Sequence, residues 1–380
     1  MKILIVVNEY PPEKIRGTAM ATEALAKNLA KNGWKVYVIV TCRGGAPEKE
    51  IVEGIALYRL NPSPIPYTRT IQRFFKILRL ARKIQPDIIQ GQAISCGLFA
   101  ALVGKILRIP SVTYIQGRDF YESGLLRRYL EVLPSVRYAT KTIAVTDELA
   151  RGAEPYARRS IDVVPHGYQS SEITGQIVEN AKRRMKRDVF NILSVGHFEP
   201  DKGTSYLLSA IRHLKEKLPG MFLHLVGDGP LRTELEMHVQ RDGISEHVCF
   251  YGSLSHPEVL AMMRVADLFV LPSVEEAFGI VLIEALNQGC PVVASRIRAI
   301  PTIVEDGVTG ILVPPRDPEA ISQAVYSILT DREMHMKMKQ ASRSAGEKFR
   351  WDFNVNRFER VYQEILSGLS HENFDCDRKL

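Results

Sequence analysis

Residues 271–295 read LPSVEEAFGIVLIEALNQGCPVVAS: a strand, a loop, a helix, a tight turn and the start of another strand. Pro272 and Ser273 end the first strand, and the helix is expected to begin near Gly279, where a missing side chain lets a ligand approach the main chain. The N–H groups of Gly279, Ile280 and Val281, at the positive end of the helix dipole, form an anion site suited to phosphate. Glu276 in the loop and Glu284 inside the helix flank that site. Carboxylates accept strong hydrogen bonds from hydroxyls, so an acid on each side suits a diphosphate carrying a hydroxyl-rich ring at both ends, the layout of a nucleotide sugar. A plainer account of both glutamates, as favourable charges near a helix N-terminus, stays open.

The same winding extends in both directions. Strands are expected at Phe190 to Val195, Met221 to Val226, Val248 to Tyr251, Leu268 to Leu271, Pro291 to Ala294 and Ile311 to Val313, interleaved with helices such as Ser205 to Lys217. In the first half, Lys2 to Val7, Trp34 to Val40, Ile88 to Gln90, Val112 to Gln116, Thr142 to Val145 and Ile161 to Val164 alternate with helical stretches such as Thr22 to Asn32 and Cys96 to Leu107. Single cores stop growing near ~250 to 300 residues, so a chain of this length calls for two domains. The polar, charged stretch between Tyr168 and Arg187 is the expected boundary, giving domains at 1–175 and 188–350, with a helix in 353–380 packing back on the first. Carboxyl ends of parallel strands border the ligand crevice, so two such domains would bind substrate in the cleft between them.

Charge divides the halves. Residues 1–190 hold 30 Lys and Arg against 17 Asp and Glu, while residues 191–380 hold 20 against 26. A basic first half suits an anionic partner such as a phospholipid surface or nucleic acid, or it is a solvated face. Thr70 to Ile84 (TIQRFFKILRLARKI) is a basic amphipathic helix, fit either to lie on an anionic membrane or to pack on a core with its charges outward. No nucleic-acid reading motif accompanies the charge, so no such partner is expected. The longest apolar runs fall far short of the ~20 residues of a membrane span, and no signal peptide opens the chain, so a cytoplasmic protein is expected, with peripheral attachment to the inner face of the membrane left open.

Other motifs narrow the chemistry. Ser194 to Gly203 (SVGHFEPDKG) places Gly196, His197 and Lys202 after a strand, where the ammonium could reach an anion. Gly227 to Pro230 (GDGP) lacks the third glycine of a dinucleotide fingerprint, with Pro230 expected in the first turn of the next helix. Pro11, Pro12 and Gly17 form a loop after the first strand. The five cysteines show no C-x-x-C spacing, and Asp375-Cys376-Asp377 stands in a polar tail, so no metal site and no resident cofactor are expected.

Taken in order, these residues resemble the retaining GT-B-fold glycosyltransferases of family 4. The resemblance covers nearly the whole chain: Pro11-Pro12 and Gly17 followed by Leu25-Ala26; Asp87 to Gly97; Gly117 and Asp119; Val164 to Gly167; Val195-Gly196 with Lys202-Gly203; Val226 to Leu231; and Pro272 to Ser295 with its E-x7-E spacing. It implies two Rossmann-like β/α/β domains facing each other across a cleft, and transfer of a sugar from a nucleotide diphosphate sugar to an acceptor hydroxyl. It further implies that Glu276 holds donor-sugar hydroxyls, Glu284 the ribose, and Lys202 the diphosphate, with the amides around Gly279 to Val281 on the distal phosphate. By the same resemblance Gly17 would border the leaving phosphate, Gly196, His197 and Phe278 would complete the donor set, Gln92 and Asp119 would stand on the acceptor side, and Gln116 would join Glu276 and Lys202 in catalysis. The acceptor so implied includes a lipid-linked or membrane-surface glycan.

The chain departs from that pattern in places. His197 stands where Arg is common and carries its charge conditionally. Gln90, Gln92 and Gln116 replace frequent histidines, and an amide bonds a sugar but relays no proton. Arg298-Ala299 replaces Gly-Gly, and Thr302 a frequent Glu. A non-catalytic nucleotide-sugar-binding subunit, or a phosphorylase or epimerase on the same fold, are the alternatives.

Overall fold

The computed structural model of the protein describes residues 1–12, 17–41, 47–61, 66–121, 124–168 and 171–376. The chain forms two units, Met1–Gly167 with Trp351–Leu380, and Tyr168–Arg350.

The first unit is built on β1 (Lys2–Val7), β2 (Lys35–Thr41), β3 (Lys49–Val52), β4 (Ile55–Leu60), β5 (Ile88–Gln92), β6 (Ser111–Ile115), β7 (Lys141–Ala144) and β8 (Asp162–Val163). They lie in the order β3-β4-β2-β1-β5-β6-β7-β8, parallel throughout except where β3 pairs antiparallel with β4. Ile3, Leu4, Ile5 and Val6 are fully buried, as a strand covered on both faces by crossover helices requires. The hairpin β3–β4 was not expected. Its edge strand, KEIV, is mostly exposed and carries no apolar run, and its turn is marked only by Glu53-Gly54, where both residues adopt positive φ.

Helix Trp351–Cys376 belongs to this unit, where Trp34 Nε1 donates to Glu359 at 2.8 Å and Tyr362 OH donates to Gln90 Oε1 at 2.5 Å. Trp351 and Phe358 stack, and Tyr114 meets Phe358 edge-on. An aromatic seam of this kind anchors the helix by area and ring geometry together.

The second unit holds β9 (Phe190–Val195), β10 (Met221–Val226), β11 (Val248–Phe250), β12 (Leu268–Leu271), β13 (Val292–Ser295) and β14 (Gly310–Val313), all parallel, in the order β11-β10-β9-β12-β13-β14. Ile192, Leu223, Leu268, Val270 and Val293 from the sheet pack with Leu207, Leu208, Ile211 and Leu214 of helix Thr204–Lys217 in one core. The order reverses between β9 and β12, the point at which a parallel sheet opens a crevice at its carboxyl edge.

The units divide at Gly167–Tyr168, the N-terminal edge of the stretch Tyr168 to Arg187 in which the boundary was expected. Residues Gly175–Arg184 form a helix of the second unit, capped by Thr174 and held through Arg184 to Glu258 at 2.9 Å. Only Ala181 of that helix is buried, so a sequence rich in Lys and Arg here reads as a linker although it is helical.

Candidate active site

The loops that leave β9 and β12 in the second unit are tied together before any ligand is considered. After β9 the chain makes a single tight turn, Pro200–Lys202, and passes Gly203 at φ +66°. A Cβ at Gly203 would stand 2.1 Å from the Pro272 carbonyl oxygen, so only glycine permits this approach. The Asp201 carbonyl accepts from the N–H groups of Val274 and Glu275 at 2.7 and 3.1 Å. The turn thereby fixes the loop that carries Glu276, and Lys202 Nζ stands 2.9 Å from Glu276 Oε2. Burial alone would lower the Lys202 pKa, but the charge and hydrogen bond of Glu276, with Asp201 and Glu199, outweigh it, and the net shift is upward. Lys202 is a fixed cation at neutral pH with ammonium protons left for a further acceptor.

The helix expected after Phe278 runs Ile280–Asn287, with Gly279 as its N-cap at φ +96°. Glycine is required there by this backbone conformation; an added Cβ would meet no backbone atom and only the Leu282 Cδ1 at 3.2 Å among close contacts. Phe278 is buried, its ring edge-on to Phe349, while Ile280 and Val281 are half-buried. The first-turn N–H groups of a helix have no intrahelical acceptor, so Gly279, Ile280 and Val281 offer donors where the expectation placed them.

Glu284, on the same helix, has a partner that sequence reasoning missed. His256 Nε2 lies 2.8 Å from Glu284 Oε1, and His256 Nδ1 lies 2.7 Å from Ser171 Oγ. His256 is the first residue of helix His256–Val265, where Ser255 and Glu258 form a capping box. The S-x-x-E spacing of Ser255 to Glu258 is the sequence signal that could have marked this helix start.

Gly196 and His197 follow β9 as expected. The Gly196 N–H donates to the Val226 carbonyl at 3.0 Å, and the half-exposed His197 ring faces the Asp228 carbonyl through Nδ1 and Glu199 through Nε2 at 3.6 Å. Pro230 lies in a turn before helix Arg232–Arg241 rather than in its first turn, where the chain is held to the loop after β9 by Leu231 N–H to the Phe198 carbonyl at 3.1 Å and Phe198 N–H to the Asp228 carbonyl at 3.0 Å. Arg298 adopts φ +45° and places Nε 3.6 Å from Glu275, and Thr302 Oγ1 donates to the Ala299 carbonyl at 2.7 Å.

In the first unit, Gln92 and Gln116 come together at the carboxyl edge of β5 and β6, the Gln116 amide donating to Gln92 Oε1. Both are almost fully buried, yet Gln92 Nε2 and Gln116 Oε1 find no partner among the described residues. Gln90, on the same strand, is taken by Tyr362. Gly17 opens helix Gly17–Lys31, and the loop 13–16 before it lies outside the described residues. Asp119 belongs to helix Arg118–Tyr121, and its side chain is outside the described set, as are those of Asp375-Cys376-Asp377. Among the described residues no three His, Cys, Asp or Glu side chains group as a metal site.

The basic helix spans Pro66–Ile84 and serves the core with one face, through Ile77, Leu78, Ala81 and Ile84. Arg73 turns inward, donating to Asn8 at 2.6 Å and lying over the Phe99 ring. Ile71 and Phe75 are exposed beside Arg79, Arg82 and Lys83, and farther along Leu126, Tyr129 and Leu130 are exposed too. No helix of the described residues is long and apolar enough to cross a membrane.

Known proteins share this fold. Residues 15–172 match the Glycosyltransferase Family 4 model and residues 177–345 match the model for glycosyl transferases group 1. An uncharacterised glycosyltransferase of Methanocaldococcus jannaschii is 28% identical over 96% of this chain and 98% of its own. The glycogen synthase of Mycobacterium tuberculosis is 26% identical over 97% of this chain and 96% of its own. Among solved structures, Anabaena HepE in complex with UDP aligns with a TM-score of 0.79 at 19% identity, covering 96% of this chain and all of that one, and the same protein is known in complex with UDP-glucose. The chain belongs to the GT-B glycosyltransferases, with a family 4 first domain and a group 1 second domain.

Proposed function

We propose that the protein moves a sugar from a nucleotide diphosphate sugar to an acceptor hydroxyl, with retention of anomeric configuration and without a metal ion. One observation carries this reading: the Lys202–Glu276 ion pair at the switch point of the second sheet, beside the helix N-terminus at Gly279. The UDP and UDP-glucose complexes of the Anabaena neighbour support a donor of this class.

In this reading Lys202 stays protonated and bridges the two halves of the donor, donating one N–H hydrogen bond to Glu276 and others to the diphosphate. The amides of Gly279 to Val281 meet the distal phosphate, where negative charge grows as the bond to the sugar breaks. Glu276 orients the sugar through its hydroxyls, and Glu284 holds the ribose. The anomeric carbon–phosphate oxygen bond breaks, a bond to the acceptor oxygen forms on the same face, and the acceptor proton passes to the departing phosphate oxygen. No side chain is then needed as a base, in keeping with Gln92 and Gln116, which can accept and donate hydrogen bonds to a hydroxyl but cannot take its proton.

The acceptor is proposed to be a lipid-linked or membrane-surface glycan, met on the cytoplasmic face of the membrane. The exposed Ile71 and Phe75 among the cations of the helix Pro66–Ile84 support this. Thermal stabilisation by a panel of UDP-, GDP- and ADP-sugars, followed by assignment of the product anomer by NMR, tests the reading. Stabilisation by one donor and an unchanged anomer are expected; no stabilisation by any donor, or an inverted product, sinks it.

A further inference from the structure

We infer that His256 is a positioning residue for nucleotide recognition, holding Glu284 in the rotamer that receives the ribose diol. The inference rests on the proposed role of Glu284 as the ribose anchor and adds residues that no motif of the sequence assigned.

A carboxylate only accepts, so the 2.8 Å contact fixes a proton on His256 Nε2, donated to Glu284 Oε1. The other ring nitrogen, Nδ1, pairs with the Ser171 hydroxyl 2.7 Å away, which can donate or accept as the ring requires. The ring is held from both sides, and its main chain is held as well. Ser255 caps the helix, with its N–H and Oγ bonding Glu258 Oε2 at 3.1 and 2.6 Å, and Arg184 holds the other Glu258 oxygen at 2.9 Å. His256 therefore reaches Glu284 from a rigid helix start, the kind of support that turns a flexible carboxylate into an aligned one.

One oxygen of Glu284 is occupied by this bond and the other is left for ligand. Glu284 is itself only slightly exposed, with 15% of its side-chain surface open. An oriented acceptor beside a diphosphate site is what distinguishes a ribose from a sugar lacking the 2′-hydroxyl, because the analogue leaves the acceptor unpaired.

The test uses whichever of UDP, GDP and ADP stabilises the full-length protein best, with its 2′-deoxy counterpart, by calorimetry. Wild type is expected to prefer the ribonucleotide by about tenfold or more, the scale of one hydrogen bond to a charged group. His256→Ala is expected to lose most of that preference by weakening the ribonucleotide alone, with 2′-deoxy affinity within about twofold. His256→Gln, which keeps a donor on a side chain of similar reach, is expected to recover it and guards against a folding defect in the alanine variant. Equal losses for both nucleotides, or an unchanged preference in His256→Ala, overturns the inference. Glu284→Ala separates the two levels. If it abolishes the preference while His256→Ala does not, the inference alone fails; if it leaves the preference intact, the ribose role of Glu284 fails and the inference with it.

Discussion

Lys202 and Glu276, 74 residues apart in the chain, meet at 2.9 Å because two strands that are neighbours at a sheet's switch point, β9 and β12, deliver their loops to the same edge. The pair couples a proposed phosphate contact to a proposed sugar contact, and removing either member leaves a partly buried charge behind. Lys202→Ala is expected to lower turnover by about 10²- to 10³-fold, the scale of one lost contact to developing charge. Because the folded-state pKa of Lys202 is raised, its pairing stabilises the protein fully below the ordinary lysine value and loses that contribution only as pH rises through the folded value. Nucleotide affinity measured by calorimetry at pH 7.5 and ~9 should therefore agree. A clear loss at the higher pH would contradict the pairing.

The two glutamates should separate in kinetics. Glu284→Ala is expected to weaken nucleoside diphosphate binding by about tenfold, while Glu276→Ala lowers kcat with little change in nucleotide affinity. Calorimetry with the bare nucleotide and turnover with saturating donor distinguish them. If both variants bound the nucleotide and a panel of its sugars as wild type does, the assignment of the site would be wrong.

Gly203→Ala tests the frame rather than the chemistry. A positive φ and a Cβ placed 2.1 Å from the Pro272 oxygen force the turn Pro200–Lys202 away from the loop that carries Glu276. The expected cost is about 2 kcal/mol or more, with donor-induced stabilisation lost at the same time. Gly220→Ala, where an added Cβ meets nothing within 4 Å, is the matched control. Equal melting temperatures for the two variants would refute the close approach.

Much of this frame was legible beforehand. The strand ends of Lys2–Val7, Phe190–Val195, Met221–Val226 and Leu268–Leu271 coincide with those expected, because strands covered on both faces leave unbroken β-branched and aliphatic runs. The edge hairpin and the charged helix Gly175–Arg184 were missed where exposure removes that signal. The Glu276 loop and Gly279 turn could be placed because a local motif marks them. The His256–Glu284 contact joins helices His256–Val265 and Ile280–Asn287, and the Gln92–Gln116 contact joins neighbouring strand ends, so neither exists until the sheets have formed. A short-range pattern cannot encode them.

Acid should weaken both units through buried neutral histidines. Burial lowers His166 to about 3, and burial aided by Lys186 lowers His224 to about 4. Above ~6.5 both folded and unfolded histidines are neutral and stability does not depend on them. As pH falls below that value the unfolded chain binds protons that the folded one refuses, so stability falls, until about pH 4 for His224 and about pH 3 for His166. The slope contributed by each is at most about 1.4 kcal/mol per pH unit. His224→Gln, which can keep the bond to Asn191, is expected to flatten the denaturation profile between pH 6 and ~4.5. A slope identical to wild type would show that His224 takes no part.

The surface of the first unit makes a separate prediction about lipid. On helix Pro66–Ile84, Ile71 and Phe75 are 60% and 61% exposed, while Arg79, Arg82 and Lys83 on the same helix are exposed cations. Apolar side chains of this size gain roughly 1.5–3 kcal/mol each on leaving water, and juxtaposed cations add attraction that salt screens. Cosedimentation is therefore expected with vesicles containing a third anionic lipid, weaker with purely zwitterionic vesicles, and reduced as ionic strength rises. The double variant Ile71→Ser with Phe75→Ser should lower binding to the anionic vesicles about tenfold or more while leaving nucleotide affinity unchanged, since both residues belong to the first unit and the proposed phosphate site is built from residues of the second. Cations acting alone would give salt-sensitive binding that the serine variant retains in full, and that result would remove the apolar face from the account of how acceptor is met.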